Sequence, residues 1–335
     1  MSLRSRIPAD FRSAPERAVR SGYPSHDEVV AHAAHAIQGG SSSFAAAARL
    51  FDEDTRESTL MLYAWCRHCD DVIDGQSLGR DDEEGGAAAR AAGIARLTEL
   101  EAETRRACAG DPSDDPVFVG LAEVVQRHQV EAELPLEHLA GFRMDVEQVH
   151  YQSLADTLLY CYRVAGVVGL MMARVMGAWD RATLDRACDL GIAFQLTNIA
   201  RDIVPDAEIG RIYLPADWLL AAGIPSSEIA KARHRDALAA LAGRLVETAE
   251  PYYSSAVSGI ADLPLRAAWS VATARDVYRA IGRHVKAKGS HAWDSRVTTS
   301  RFEKLWFAAR GAGVALAARA VPKTQRAHFL YKRPG

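Results

Sequence analysis

The stretch Tyr63-Ala64-Trp65-Cys66-Arg67-His68-Cys69-Asp70-Asp71-Val72-Ile73-Asp74 crowds three carboxylates into five positions of an otherwise helical run. Tyr63, Arg67, Asp70 and Asp74 follow one another at intervals of four, three and four residues. A helix therefore brings them onto one face, with Asp71 turned partly aside. Such a row reads either as the solvated side of a surface helix or as a set of hard oxygen ligands. Carboxylates one turn apart hold Mg²⁺ and leave coordination positions open for phosphate oxygens. About 130 residues further on, Gln195-Leu196-Thr197-Asn198-Ile199-Ala200-Arg201-Asp202-Ile203-Val204-Pro205-Asp206 repeats the logic, with Asn198, Asp202 and Asp206 four apart. Two such faces turned toward each other form an acidic cleft. That cleft is unfavourable alone and reasonable when divalent cations sit in it and bridge to an anion such as diphosphate. Arg67, Arg201 and Arg211 offer guanidinium forks for the oxygens of that anion. Pro205 removes a backbone donor and disfavours helical geometry at Val204, so the second helix is expected to end or kink there.

The rest of the chain extends the helical pattern on both sides. Of its 335 residues 60 are alanine, the best helix former, while strand formers are comparatively sparse, which predicts an all-α protein. Apolar residues recur at helical spacing over segments near 26–38, 42–53, 57–76, 87–108, 116–129, 135–150, 153–177, 180–204, 226–257, 263–288 and 300–320. The runs 79–86 and 110–116, rich in Gly, Asp and Pro, read as solvated connectors. No repeat or composition break divides the chain. Residues 1–24 are expected to form a flexible arm, 25–320 one helical domain and 321–335 a basic tail. Lys plus Arg number 40 against 43 acids, a net charge of −3, which argues against nucleic-acid binding through bulk charge. Five scattered cysteines do not resemble a disulfide framework and suit a reducing, cytoplasmic setting. Cys66 and Cys69 lie inside a helix with no second cysteine pair, and a zinc site there is discounted. The longest uninterrupted apolar stretch, 164–173, falls short of the roughly 20 residues of a membrane span. From Arg319 onward, Lys323, Arg326, Lys332 and Arg333 occur without an acid and alternate with Phe329, Leu330 and Tyr331. That composition suits either a solvated tail or peripheral contact with the inner face of an anionic membrane.

Taken in order, these motifs resemble those of the squalene and phytoene synthase family. Its first aspartate-rich motif matches Asp70-Asp71-Val72-Ile73-Asp74. The second matches Asn198-Ile199-Ala200-Arg201-Asp202 through Asp206 and continues into Gly210-Arg211-Ile212-Tyr213-Leu214-Pro215. Further matches are Ser41-Ser42-Ser43-Phe44, the run from Tyr160-Cys161-Tyr162-Arg163 to Gly169, and Arg296-Val297-Thr298-Thr299-Ser300. The resemblance implies a single-domain isoprenoid synthase fold around a central cavity. It also implies head-to-head condensation of two allylic prenyl diphosphates. In the phytoene-forming branch both are geranylgeranyl diphosphate, joined through prephytoene diphosphate. It further implies Mg²⁺ or Mn²⁺ held by Asp70, Asp74, Asn198, Asp202 and Asp206, with no requirement for NADPH. Catalytic roles are implied for the four aspartates together with Arg67 and Tyr160. Substrate contacts are implied for Ser41, Ser43, Phe44, Tyr63, Arg67, Val164, Val168, Gly169, Gln195, Asn198, Arg201, Arg211, Tyr278 and Arg296.

Read from the residues alone, Ser41 is equally a helix N-cap, and the small residues between Val164 and Ala173 serve either helix packing or close approach of an isoprenoid chain. Two alternatives stay open. One is squalene or dehydrosqualene synthase chemistry on farnesyl diphosphate, which differs in tail length and in whether NADPH quenches the final cation. The other is a non-catalytic helical scaffold, against which both acidic motifs and their arginines weigh.

Overall fold

The computed structural model describes residues 23–38, 48–74 and 83–334, and among these residues there are helices and no strand, in agreement with the all-α expectation. Helices α1 (His26–Gln38), α2 (Glu53–Asp74), α3 (Glu83–Cys108), α4 (Pro116–His128) and α5 (Glu133–Val146) come first. A composite helix follows, made of α6 (Leu154–Cys161), a five-residue π turn (Tyr162–Gly166) and α7 (Val167–Val175). The long α8 (Arg181–Glu208), short α9 (Ala216–Ala221), α10 (Arg235–Ile260), α11 (Leu265–Lys288) and α12 (Arg301–Ala317) complete the order.

Local chemistry sets several of the starts. Asp115 accepts the Val117 N–H at 2.8 Å ahead of Pro116, whose missing amide is not needed at the first helical position. Asp180 caps α8 by accepting the Thr183 N–H at 3.1 Å. Ser300 and Glu303 form a reciprocal capping box at the head of α12. The apolar faces then bury into two adjoining clusters. One gathers Met61, Trp65, Leu121 and Leu139 from α2, α4 and α5. The other gathers Leu196, Leu245, Tyr253 and Ala268 from α8, α10 and α11. The composite helix runs between them, giving Cys161, Val167 and Leu170 to the second and Met171 and Val175 to the first.

That composite helix, Leu154–Val175, is long and apolar enough to cross a membrane by length and composition. Counting uninterrupted apolar residues misses it because Arg163 and Arg174 punctuate the run. Both are paired, Arg163 with Glu137 at 3.2 Å and Arg174 with Glu131, and the helix is mostly buried inside the fold.

Three segments depart from the sequence expectation. Helix α3 begins at Glu83, inside the run taken as a connector, because the alanine-rich stretch that follows carries helix back across Gly85 and Gly86. The segment expected to be helical from 226 instead makes 3₁₀ turns at Ser226–Glu228 and Ala232–His234. Glu228 holds them by accepting from Lys231 at 2.8 Å, His234 at 3.2 Å and Arg233. Helix α8 continues through Pro205 to Glu208 without ending. Proline deletes one helical bond in the last turn, and the chain beyond supplies closure. Gly210, at φ 80°, lets Arg211 N–H reach the Asp206 carbonyl at 2.8 Å.

The C-terminal segment packs against the body. Leu330 is buried, Arg326 grips the fully buried Asp189 at 2.7 and 2.8 Å, and Arg333 pairs with Asp185 at 2.6 Å. Lys323 pairs with Asp262 at 2.5 Å. The charges of Lys323, Arg326 and Arg333 are therefore neutralised within the fold.

Candidate active site

A cavity of about 1030 Å³ lies between the two clusters, walled by α2, α5, the composite helix, α8, α10, α11 and α12. Tyr63, Cys66, Arg67 and Asp70 reach it from α2. The predicted face thus forms as far as Asp70, while Asp71 is turned outward and Asp74 is the last residue of the helix. Arg67 donates to Asp71 at 3.1 Å and to Asp70 at 3.4 Å, so the first motif is an arginine clasped by its own acids. Cys66 has its thiol pushed up to about 12 by burial and by Asp70, which leaves it unreactive.

The second motif reaches the cavity through Gln195 and Asn198. The Asn198 amide donates to Gln195 at 3.4 Å, and its own carbonyl oxygen is buried without a hydrogen-bond partner. One turn on, Arg201 and Asp202 form a bidentate pair at 2.9 and 2.5 Å. Asp206 lies behind this pair in a small recess shared with Ile199, Arg211 and Tyr213. Burial, then the charge of Asp202, raises the Asp206 carboxyl to about 7 against the pull of Arg211 and Arg201. The turn closing α8 brings Arg211 to the cavity wall as well. Among the described residues no three acidic, histidine or cysteine side chains converge as a metal-ligating group.

Tyr160 is held by a partner that the sequence motifs do not reveal. Its hydroxyl donates to Asp145 at 3.1 Å, and Tyr213 donates to the other carboxylate oxygen at 2.9 Å. The two rings stack at 4.5 Å, and Asp145 itself lines the cavity. Burial, then the Asp145 charge, holds both phenols well above their usual range, so they remain protonated donors. Asp145 is a lone acid with no periodic companion, and its only sequence signal is an acidic residue near the end of an amphipathic helix.

Small residues on the composite helix both pack against α8 and line the cavity. Val164, Ala165, Val168, Gly169 and Ala173 face the cavity. A Cβ on Gly169 would stand 2.4 Å from the Ala187 carbonyl oxygen, and one on Gly191 would stand 2.2 Å from that of Ala165. Glycine thus lets α7 and α8 touch backbone to backbone, and the π turn between Tyr160 and Val167 shifts the register of the wall. Tyr278 lines the cavity from α11, stacked on Phe194 at 4.2 Å. Its phenol is raised by burial while Arg201 and Arg296 oppose the shift, which puts Arg296 beside it though off the cavity wall. Ser41, Ser43 and Phe44 lie outside the described residues. Sequence reasoning also missed Arg301, Lys304 and Leu305, which bring α12 to the cavity.

The squalene/phytoene synthase family model matches residues 37–303. A 15-cis-phytoene synthase of Pantoea ananas is 52% identical over 303 residues, spanning 90% of this chain and 97% of the relative. A 15-cis-phytoene synthase of Enterobacter agglomerans is 52% identical over 298 residues, spanning 89% and 100%. The solved structure of a dehydrosqualene synthase in complex with ligand superposes with a TM-score of 0.76 at 25% identity, covering 87% of this chain and 98% of that one. Fold, motif order and sequence agree, and the chain belongs to the squalene/phytoene synthase family.

Proposed function

We infer that the protein is a prenyl transferase that joins two geranylgeranyl diphosphates head to head, through prephytoene diphosphate, to give 15-cis-phytoene and diphosphate. The activity named for its 52% identical relatives supports this reading. The observation that carries it is the shape of the cavity: a polar end at Arg67, Asp70, Gln195, Asn198 and Arg211 continues into a long apolar wall. Along α8 the lining runs from Asn198 through the apolar Phe194, Leu190 and Ala187 to Arg186 and Thr183, about 22 Å at 1.5 Å per residue. With carbon–carbon bonds of about 1.5 Å, an extended four-unit prenyl tail needs roughly 19 Å and a three-unit tail roughly 14 Å. The cavity is thus long enough for a geranylgeranyl chain, and the activity named for the 52% identical relatives favours the phytoene reaction over squalene or dehydrosqualene formation.

Arg67, Arg201 and Arg211 bind the diphosphate oxygens in forked geometry. Asp70, Asp74, Asn198, Asp202 and Asp206 would hold the divalent cation, Mg²⁺ or Mn²⁺. Two features fit that role: the unpartnered buried oxygen of Asn198, and the like-charged Asp202 and Asp206 side by side under burial. When bound, the metal neutralises the diphosphate as a leaving group. Tyr160, kept protonated by burial and with its hydroxyl proton committed to Asp145, stands at the cavity wall with its hydroxyl oxygen held in place. Val164, Val168, Phe194 and Met172 exclude water from the allylic cation. No NADPH takes part, because the final cation loses a proton instead of gaining hydride. A cytoplasmic location with peripheral contact to the inner face of the membrane belongs to the same reading, since the product is an apolar hydrocarbon.

Purified protein given geranylgeranyl or farnesyl diphosphate, with Mg²⁺ or Mn²⁺ and with or without NADPH, tests it by mass spectrometry of the products. A C40 hydrocarbon with a conjugated triene at its centre, formed from geranylgeranyl diphosphate without NADPH, is the expected result, and preferential formation of a C30 product overturns it. Asp70→Asn and Asp202→Asn are each expected to lower turnover by about 100-fold or more with an unchanged helical circular dichroism spectrum. Near-normal turnover in either variant removes the metal-holding assignment.

A further inference from the structure

Helix α12 carries an apolar stripe that the fold leaves uncovered. Phe302 is 85% exposed, Leu305 68%, Trp306 65% and Leu316 60%. With Ala309 and Gly313 between them, their spacing places them along one side of the helix. The opposite side is seated on α11, where Gly311 packs against Thr273 and Trp269 donates to the Ala308 carbonyl at 2.6 Å. The end of α12 is tied to the start of α11 by Arg319, which donates to the Leu263 carbonyl at 2.6 Å. Single exposed hydrophobic residues are ordinary on a protein surface, whereas several large ones in one stripe mark an interaction face.

The charges around the stripe identify what it meets. Among the described residues Arg301 and Lys304 have no acidic partner, and Arg319 bonds only to carbonyls. The single acid of α12, Glu303, is occupied by the Ser300 cap and by His284 at 3.1 Å. Arg301 and Lys304 sit in the first turn, where the helix dipole disfavours cations, so the stability of α12 does not account for them. A tryptophan and a phenylalanine flanked by unpaired cations complement the headgroup layer of an anionic bilayer. The stripe also adjoins the cavity: Arg301, Lys304, Leu305 and Ala308 line it, and Leu305 is at once a wall residue and exposed.

We propose that α12 docks on an anionic membrane, with Phe302, Leu305 and Trp306 entering the headgroup region, Arg301 and Arg319 meeting lipid phosphates, and the cavity opening onto lipid beside Leu305. The proposal rests on the reading of an apolar product, which then leaves the cavity without crossing water. The C-terminal segment is a poorer docking element, because Lys323, Arg326 and Arg333 are already paired with Asp262, Asp189 and Asp185.

Flotation of the full-length protein with phosphatidylcholine vesicles, with and without phosphatidylglycerol, tests the surface. Wild type is expected to float with the phosphatidylglycerol vesicles and to stay behind with phosphatidylcholine alone. The double variant Phe302→Ser/Trp306→Ser, which alters no cavity residue, is expected to lose at least about tenfold in vesicle partition. Its circular dichroism spectrum and its turnover in detergent should stay at the wild-type level. Wild type that fails to float, that binds neutral and anionic vesicles equally, or that is matched by the double variant overturns the proposal. Flotation does not depend on which diphosphate is condensed. Flotation without a C40 product removes the functional reading and leaves the docking surface standing, while a C40 product without flotation does the reverse.

Discussion

Asp145 ties together two tyrosines from separate segments, and its carboxylate is the acceptor for both hydroxyls. An amide in its place offers one acceptor oxygen, so one buried hydroxyl loses its partner. Asp145→Asn is therefore expected to cost about 1–3 kcal/mol in urea denaturation and to lower turnover as Tyr160 loses its anchor. His138 makes a second residue-scale case. It is 4% exposed, wedged between Trp65 and Phe142, and burial lowers its imidazole to about 4. The unfolded chain takes up that proton near pH 6.5, before the folded one does. The stability contribution is thus complete above pH 6.5 and is lost as pH falls from 6.5 toward 4, by up to about 3 kcal/mol. His128, lowered to about 4 by burial and by Arg127, titrates in the same window. Urea midpoints measured across that range should fall in wild type and fall less steeply in His138→Gln, with His128 supplying the remaining slope; parallel curves would show that His138 is not responsible.

At the scale of elements, the site depends on two helices meeting without side chains between them. The Gly191 Cα faces the Ala165 carbonyl so closely that a methyl group would stand 2.2 Å from its oxygen. Backbone cannot swing away as a side chain does, so Gly191→Ala must part the π turn of the composite helix from α8. A loss of about 1–3 kcal/mol or more is expected from thermal or chemical unfolding, with activity reduced through the displaced wall. Gly313→Ala is the control, because nothing lies within 4 Å of the added Cβ, and helix propensity predicts equal or slightly higher stability. The positions of these helices follow from periodicity and from caps such as Asp180 and Ser300. The backbone contact between them does not, because a glycine in a helix looks the same in sequence whether it faces water or another backbone. The same holds for Pro205, which reads as a breaker and sits inside α8 because the Gly210 turn closes the last carbonyls from beyond.

For the whole molecule, the cavity couples chemistry at one end to length at the other. Ala187 lies on the α8 wall about 16 Å from Asn198 at 1.5 Å per residue. A phenylalanine there shortens the channel below the reach of a four-unit tail and leaves room for three. Ala187→Phe is accordingly expected to lower the ratio of kcat/KM for geranylgeranyl over farnesyl diphosphate at least about tenfold. An unchanged ratio would mean that the tail runs along another wall. The sequence by itself determined the helical class, the two acidic helices and the family, because periodicity and motif order are local properties that survive without knowledge of packing. It placed Tyr63, Arg67, Asp70, Gln195 and Asn198 on faces that do meet one cavity. Only the tertiary structure decided that Asp145 joins Tyr160 to Tyr213, that basic residues near the C-terminus are spent on buried or half-buried acids, and that α12 keeps its aromatic stripe in the open. Each of these is a matter of which residues, tens or hundreds of positions apart, are buried against one another, and burial is what turns an ordinary acid, glycine or arginine into a partner.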